Sequence, residues 1–146
     1  MQHNPEALAE VHTRFAQNAF SRFLGIELVE VSAEAIVLRL ALQPEHRQNL
    51  GFAHGGLLAT LADVCMGFAA VANARPDSHV LTGDLRVSYL NPAIGPVVWA
   101  RGYPIKVGGR LVFTEAEVYQ EAEGSRRLLC KASATMVVVA KADVRR

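Results

Sequence analysis

A run of twenty residues, Gly55 to Ala74, carries one charged side chain, Asp63, among Leu, Ala, Val, Met and Phe. The polar stretch His46-Arg47-Gln48-Asn49-Leu50-Gly51-Phe52-Ala53-His54-Gly55-Gly56 leads into it. A glycine-rich lead-in followed by good helix formers predicts a loop feeding a helix over residues 55–74, with its first free N–H groups near Gly55. Such an end attracts developing negative charge. An Asp in a helix ordinarily joins a solvated face. Here its neighbours on the helical wheel are Ala59, Thr60, Val64 and Gly67, so there is no charged face to join. A membrane span would also need about 20 apolar residues. A central Asp, costing roughly 2.5 to 3.5 kcal/mol on insertion scales, argues for a buried core helix instead.

Gly55 and Asp63 stand eight positions apart, about 12 Å along one helix at ~1.5 Å per residue. One small reacting group cannot touch both. If they act together, the Gly55 amide of one subunit faces Asp63 of another, which a two-fold interface with antiparallel helices achieves.

The remaining chain reads as a single α+β domain, residues 1–146, whose 51% apolar content allows a real core. An N-terminal helix within residues 1–24 is signalled by Asn4 as cap, Pro5 at the first position, Leu8, Val11, Phe15 and Ala19 on one face, and Gly25 as stop. Strands are predicted over residues 26–31, 35–42, 80–89, 97–107, 111–120 and 128–140, with a break at Arg75-Pro76-Asp77-Ser78 and a turn at Gly108-Gly109. This gives one antiparallel sheet wrapped on the long apolar helix. A net charge of +1 offers no basic footprint for nucleic acid. Cys65 and Cys130 lie in apolar runs without CxxC spacing and read as buried free thiols of a reducing compartment. Glu6, Glu10 and Arg14 interrupt any secretion signal, so the expected location is cytoplasmic. The five histidines, His3, His12, His46, His54 and His79, form no HExxH pair, and no metal or redox cofactor is implied.

The run Gly51-Phe52-Ala53-His54-Gly55-Gly56 with Leu61-Ala62-Asp63 resembles the motif of the hotdog-fold acyl-CoA thioesterases, in the phenylacetic-acid-degradation and 4-hydroxybenzoyl-CoA thioesterase group. The resemblance continues through Val87-Ser88-Tyr89-Leu90-Asn91-Pro92-Ala93 and Lys106-Val107-Gly108-Gly109-Arg110. It implies that Gly55 donates its N–H to the thioester carbonyl oxygen and that Asp63 of the neighbouring subunit is the general base or nucleophile. Gln48, six positions before His54, stands at the family's Asn or Gln position, and Thr82, ten before Pro92, at the residue that holds the water. The benzoyl branch has a Thr four positions after the carboxylate. Gly67 stands there, a departure from that branch that makes water positioning more dependent on Thr82. His54 would shape the oxyanion loop or transfer a proton. Lys106, Gly108, Gly109 and Arg110, with Asn91 and Pro92, would meet coenzyme A, although a hairpin with ordinary surface charges has the same sequence.

Acyl transfer needs these residue types. A preorganised N–H at a helix start is worth roughly 3 kcal/mol to the tetrahedral intermediate, and glycine lets the acyl group approach the backbone. A partly desolvated carboxylate suits a general base or, by direct attack, an anhydride. The expected protein is an acyl-CoA thioesterase for medium-chain or aryl groups, with coenzyme A as part of the substrate and no partner in nucleic acid or membrane. It would be at least a homodimer, with a tetramer of paired dimers expected, and an acyl pocket at Phe52, Leu58, Met66 and residues near Leu81. A non-catalytic acyl-CoA-binding module and a hotdog enoyl-CoA hydratase or dehydratase are the alternatives.

Overall fold

In the N-terminal segment a capped helix is followed at once by a second, shorter one. The computed structural model describes residues 4–144; residues 1–3 of the expected N-terminal helix, His3 among them, lie outside the described residues. Helix α1 spans Pro5–Gln17, and Asn4 Oδ1 accepts from Glu6 N–H at 3.1 Å, as a cap should. The single helix expected up to residue 24 is instead broken at Asn18 (φ −76°, ψ 95°), whose Oδ1 accepts from Ser21 N–H at 3.0 Å and starts α2, Ala19–Leu24. The short amide side chain competes with the helical backbone for its own N–H groups, so Asn18 caps a new helix rather than continuing the old one. Gly25, at φ 82°, closes α2.

Six strands follow, with the apolar helix α3 between the second and third: β1 Glu27–Val31, β2 Ile36–Ala41, α3 Gly55–Val71, β3 Ser78–Tyr89, β4 Val97–Val107, β5 Leu111–Ala122 and β6 Ser125–Ala140. They form one antiparallel sheet in the order β1-β2-β4-β5-β6-β3, wrapped on α3 in the hotdog architecture. The β5–β6 strands run longer than expected because Glu123 and Gly124, at φ 50° and 74°, make a two-residue hairpin turn between the paired Ala122 and Ser125. Helix α3 ends at Val71 rather than at residue 74. Asn73 Nδ2 donates to Ala69 O at 3.0 Å and to Ala33 O at 2.9 Å, satisfying a terminal carbonyl and tying the helix end to the β1–β2 turn.

The core forms where α3 meets the concave sheet. Leu57, Leu58, Leu61, Met66 and Cys65 pack against Ile36, Leu38, Leu40, Val98, Val112 and Met136. At Gly102 on β4 a Cβ would stand 2.8 Å from the backbone carbon of Cys65, so only glycine fits. The residues of α3 left outside the core are Gly55, Gly56, Ala59, Thr60, Asp63, Val64 and Gly67, one open stripe along the helix. No helix among the described residues is long and apolar enough to cross a membrane.

Both cysteines are free and buried, and Cys65 Sγ donates to Ile36 O at 3.1 Å. Burial pushes the Cys65 thiol far above the usual range and the Cys130 thiol up to about 12. Folded thiols thus stay neutral where unfolded ones ionise. Stability is expected to hold below the unfolded thiol value of 9.0 and then to fall by roughly 1.4 kcal/mol per thiol for each further pH unit. Urea titrations on either side of that value measure the loss, and equal midpoints would contradict it.

Candidate active site

The lead-in loop is anchored before it reaches the helix. His46 is 8% exposed, its Nδ1 accepts from Gln43 N–H at 3.0 Å, and its carbonyl accepts from His54 N–H at 2.9 Å. His54 then caps α3: its Nδ1 accepts from Gly56 N–H at 2.9 Å, and its carbonyl accepts from Leu57 and Leu58 at 2.9 and 3.2 Å. With Nδ1 accepting, the neutral ring carries its proton on Nε2. Of the first four helical N–H groups, that of Gly55 alone has no acceptor among the described residues. A free donor at the positive end of α3 can meet an oxyanion. Gln48 lies in the same loop, and its Oε1 accepts from Leu50 N–H, so this oxygen is engaged locally.

Asp63 sits half-buried on the open stripe of α3, and Thr82 Oγ1 on β3 donates to its Oδ1 at 2.7 Å. The structure thus brings together two residues nineteen positions apart that were singled out from sequence. They border a groove of about 890 Å³ between α1, α3 and β3, with Val64, Gly67, Phe68 and Leu81 on its walls. Gly67 keeps the groove wide, since a Cβ there would meet nothing within 4 Å. Leu81 lines this space as expected. Leu58 and Met66 cannot line it, because they are 3% and 0% exposed and face the sheet on the opposite side of the helix, and Phe52 is not on its walls.

One residue at the helix start is absent from the sequence-based set. Thr82 and Tyr89 are seven positions apart and would face opposite sides of an unbroken strand. A bulge at Gly83 shifts the register between Thr82↔Met136 and Asp84↔Thr135, after which Leu85, Val87 and Tyr89 oppose the inward residues Ala134, Ala132 and Cys130. Both ends of β3 therefore face α3. Tyr89 Oη donates to Gly55 O at 2.7 Å, and its ring lies 3.4 Å from where a Gly55 Cβ would be. A Cβ on Gly83 would stand 2.8 Å from Val137 Cγ2, so a larger residue at the bulge would have to displace that side chain. The odd Thr82-to-Tyr89 spacing across a strand glycine was the available signal.

The residues expected to meet coenzyme A fall into two separated groups. Asn91 Nδ2 donates to Leu128 O at 2.7 Å and its Oδ1 accepts from Arg127 at 3.4 Å; Pro92 follows, exposed, and Ala93 O accepts from Ala53 N–H at 3.1 Å beside the helix start. The hairpin with Lys106, Gly108, Gly109 and Arg110 is exposed too, but its glycines border Ala72 to Pro76 at the far end of α3. From Gly55 to Val71 that helix is about 24 Å long. Within one chain the two groups do not converge. Among the described residues no three His, Cys, Asp or Glu side chains gather as a metal ion would require.

A family model described as the thioesterase superfamily matches residues 50–126. Human acyl-coenzyme A thioesterase 13 is 31% identical over 107 residues, covering 72% of this chain and 76% of that protein. A longer Caenorhabditis elegans protein is 33% identical over 97 residues, a match that spans 66% of this chain and 57% of that protein. Among solved structures, a thioesterase family protein from Silicibacter pomeroyi superimposes with a TM-score of 0.88 at 26% identity, covering 92% of this chain and 98% of the other.

Proposed function

Because the chain belongs to the thioesterase superfamily, we propose that it hydrolyses acyl-coenzyme A to a free acid and coenzyme A, using Gly55 N–H and Asp63. The observation that carries this reading is the Asp63 carboxylate, held by Thr82 at 2.7 Å on the one stripe of α3 outside the core. In this reading the thioester carbonyl oxygen accepts from Gly55 N–H. Asp63 either takes a proton from a water that attacks the carbonyl carbon or attacks that carbon itself. Thr82 engages one carboxylate oxygen and leaves the other for the reaction. Collapse of the tetrahedral intermediate breaks the C–S bond. In the first route the departing thiolate takes up the proton that Asp63 removed from water; in the second the collapse leaves a mixed anhydride, which water hydrolyses to the free acid, restoring the Asp63 carboxylate and supplying the proton of the thiol.

The site would be shared between two copies of the chain. Gly55 and Asp63 are about 12 Å apart on one helix, too far for one carbonyl group. Strand β3 pairs with β6 on one edge and with no strand among the described residues on the other, while Leu81 and Tyr89 on it are 54% and 53% exposed. A twelve-residue open edge with exposed apolar groups favours pairing with its own copy about a two-fold axis. That pairing supports a homodimer, and a tetramer of paired dimers is the next level of the same proposal. Antiparallel helices would bring the end of the partner's α3, eight residues beyond its Asp63, to about 12 Å from the reacting carbon, and the partner's hairpin glycines border that end. Asn91 and Pro92 of one copy and Lys106 and Arg110 of the other could then contact one coenzyme.

The groove beside Asp63 supports a medium-chain or aryl acyl group. Free-thiol release over a panel of short-, medium-, long-chain and aryl acyl-CoA esters tests the proposal. Turnover of medium-chain or aryl esters is expected, and no thiol release from any ester would overturn it.

A further inference from the structure

The amide assigned to the oxyanion belongs to the least rigid kind of backbone. Gly55 and Gly56 follow one another, and two successive glycines have no side chain to restrict their dihedral angles. An oxyanion donor must nevertheless be aimed before the reaction begins. The first turn of α3 holds one side of the peptide that carries it, because His54 O accepts from Leu57 and Leu58 N–H; the glycine pair on the other side needs a holder of its own.

We propose that Tyr89 is the positioning residue of this turn, a role that rests on the thioesterase reading above. Its hydroxyl donates to Gly55 O at 2.7 Å, and the N–H of the same peptide unit, that of Gly56, donates to His54 Nδ1 at 2.9 Å. The Gly55–Gly56 peptide is thus gripped at both ends, by the phenol on one side and the imidazole on the other. Hydrogen bonds in such a chain polarise one another and strengthen together. The preceding peptide, which carries the free Gly55 N–H, is held at its own carbonyl, His54 O, by Leu57 and Leu58 N–H at 2.9 and 3.2 Å, so fixing the Gly55–Gly56 plane leaves both planes that meet at the Gly55 Cα restrained. The Tyr89 ring restricts this freedom as well, lying 3.4 Å from the position of a Gly55 Cβ.

The opposite end of the relay bears on His54. Its Nδ1 is committed to Gly56, a Cβ on Gly56 would stand 3.1 Å from that nitrogen, and the donor of the neutral ring is therefore Nε2. Tyr89 is 53% exposed in the single chain, so packing against its own core does not account for an aromatic residue here. Its placement depends on the Gly83 bulge, which turns the second half of β3 toward α3 while leaving Thr82 on Asp63. One strand therefore steadies the carboxylate at one end and the amide turn at the other.

Tyr89→Phe keeps the ring and removes only the donor. Its kcat is expected to fall about two- to tenfold, the usual effect of losing one hydrogen bond, with KM and the melting temperature close to wild type. Nitrogen-15 NMR of the histidine-labelled protein should show Nε2–H His54 in the wild type and faster exchange between its two tautomers in the variant. Tyr89→Ala, which also removes the ring, should lose more kcat than Tyr89→Phe. Wild-type kcat in Tyr89→Phe, or an unchanged His54 spectrum, overturns the proposal. If the wild type hydrolyses no acyl-CoA, the thioesterase reading fails and the spectrum alone decides whether Tyr89 holds the turn.

Discussion

Asp63→Asn is expected to lower thioester hydrolysis by roughly 10²- to 10⁴-fold, the usual contribution of a positioned general base, while leaving fold and coenzyme A binding unchanged. The substitution preserves size and an Oδ1 that can still accept from Thr82, so the 2.7 Å contact need not be lost. Asp63 lies on the open stripe of α3 and not in the core, so little packing depends on its charge. What disappears is the capacity to take a proton or to attack a carbonyl carbon. Thiol release, circular dichroism and a calorimetric titration with coenzyme A, run on both proteins, separate these effects. Undiminished turnover would remove Asp63 from the chemistry. Coenzyme binding without turnover in the wild type would favour a binding module, and loss of 2-enoyl-CoA hydration in His54→Ala would favour a hydratase.

Much of this site could be read before the fold was known, for local reasons. Asp63 stood out because its wheel neighbours Ala59, Thr60, Val64 and Gly67 are uncharged, and those positions form the stripe that the sheet leaves uncovered. The sheet was legible wherever one face alternates, as at Ile36, Leu38 and Leu40. Orientation within an almost wholly apolar helix was not. Leu58 and Met66 have no polar contrast to assign them a side, and they turn to the core. Asn18 was hidden because Asn inside a helix and Asn capping one differ only in backbone angle. Tyr89 was hidden behind a bulge, a register event shared with β6 rather than a property of β3 alone. The Lys106-to-Arg110 hairpin was legible as a turn, but its distance from Asn91 follows from the strand order β1-β2-β4-β5-β6-β3, which no local pattern encodes.

Gly55→Pro is expected to reduce kcat by about 10²- to 10³-fold, the cost of losing one oxyanion donor, in a protein that still folds. Gly55 is the first residue of α3, where proline is tolerated because its missing N–H has no intrahelical partner. His54 already has φ −62° and ψ 136°, the extended conformation that a following proline favours. Gly55→Ala is the control: it retains the N–H and adds a methyl 3.4 Å from the Tyr89 ring, an ordinary van der Waals contact. It should therefore lose much less. The same variant tests whether the site is shared. When Gly55→Pro and Asp63→Asn chains are unfolded together and refolded as an equal mixture, half of the dimers carry one of each. If the amide and the carboxylate come from different copies, one of the two sites in each mixed dimer is intact, and about a quarter of wild-type activity returns. If both came from one copy, every site would carry one lesion and no activity would return. Recovery near a quarter, with neither parent active alone, is the expected result, and its absence despite mixed dimers detected by native mass spectrometry would confine the site to a single chain.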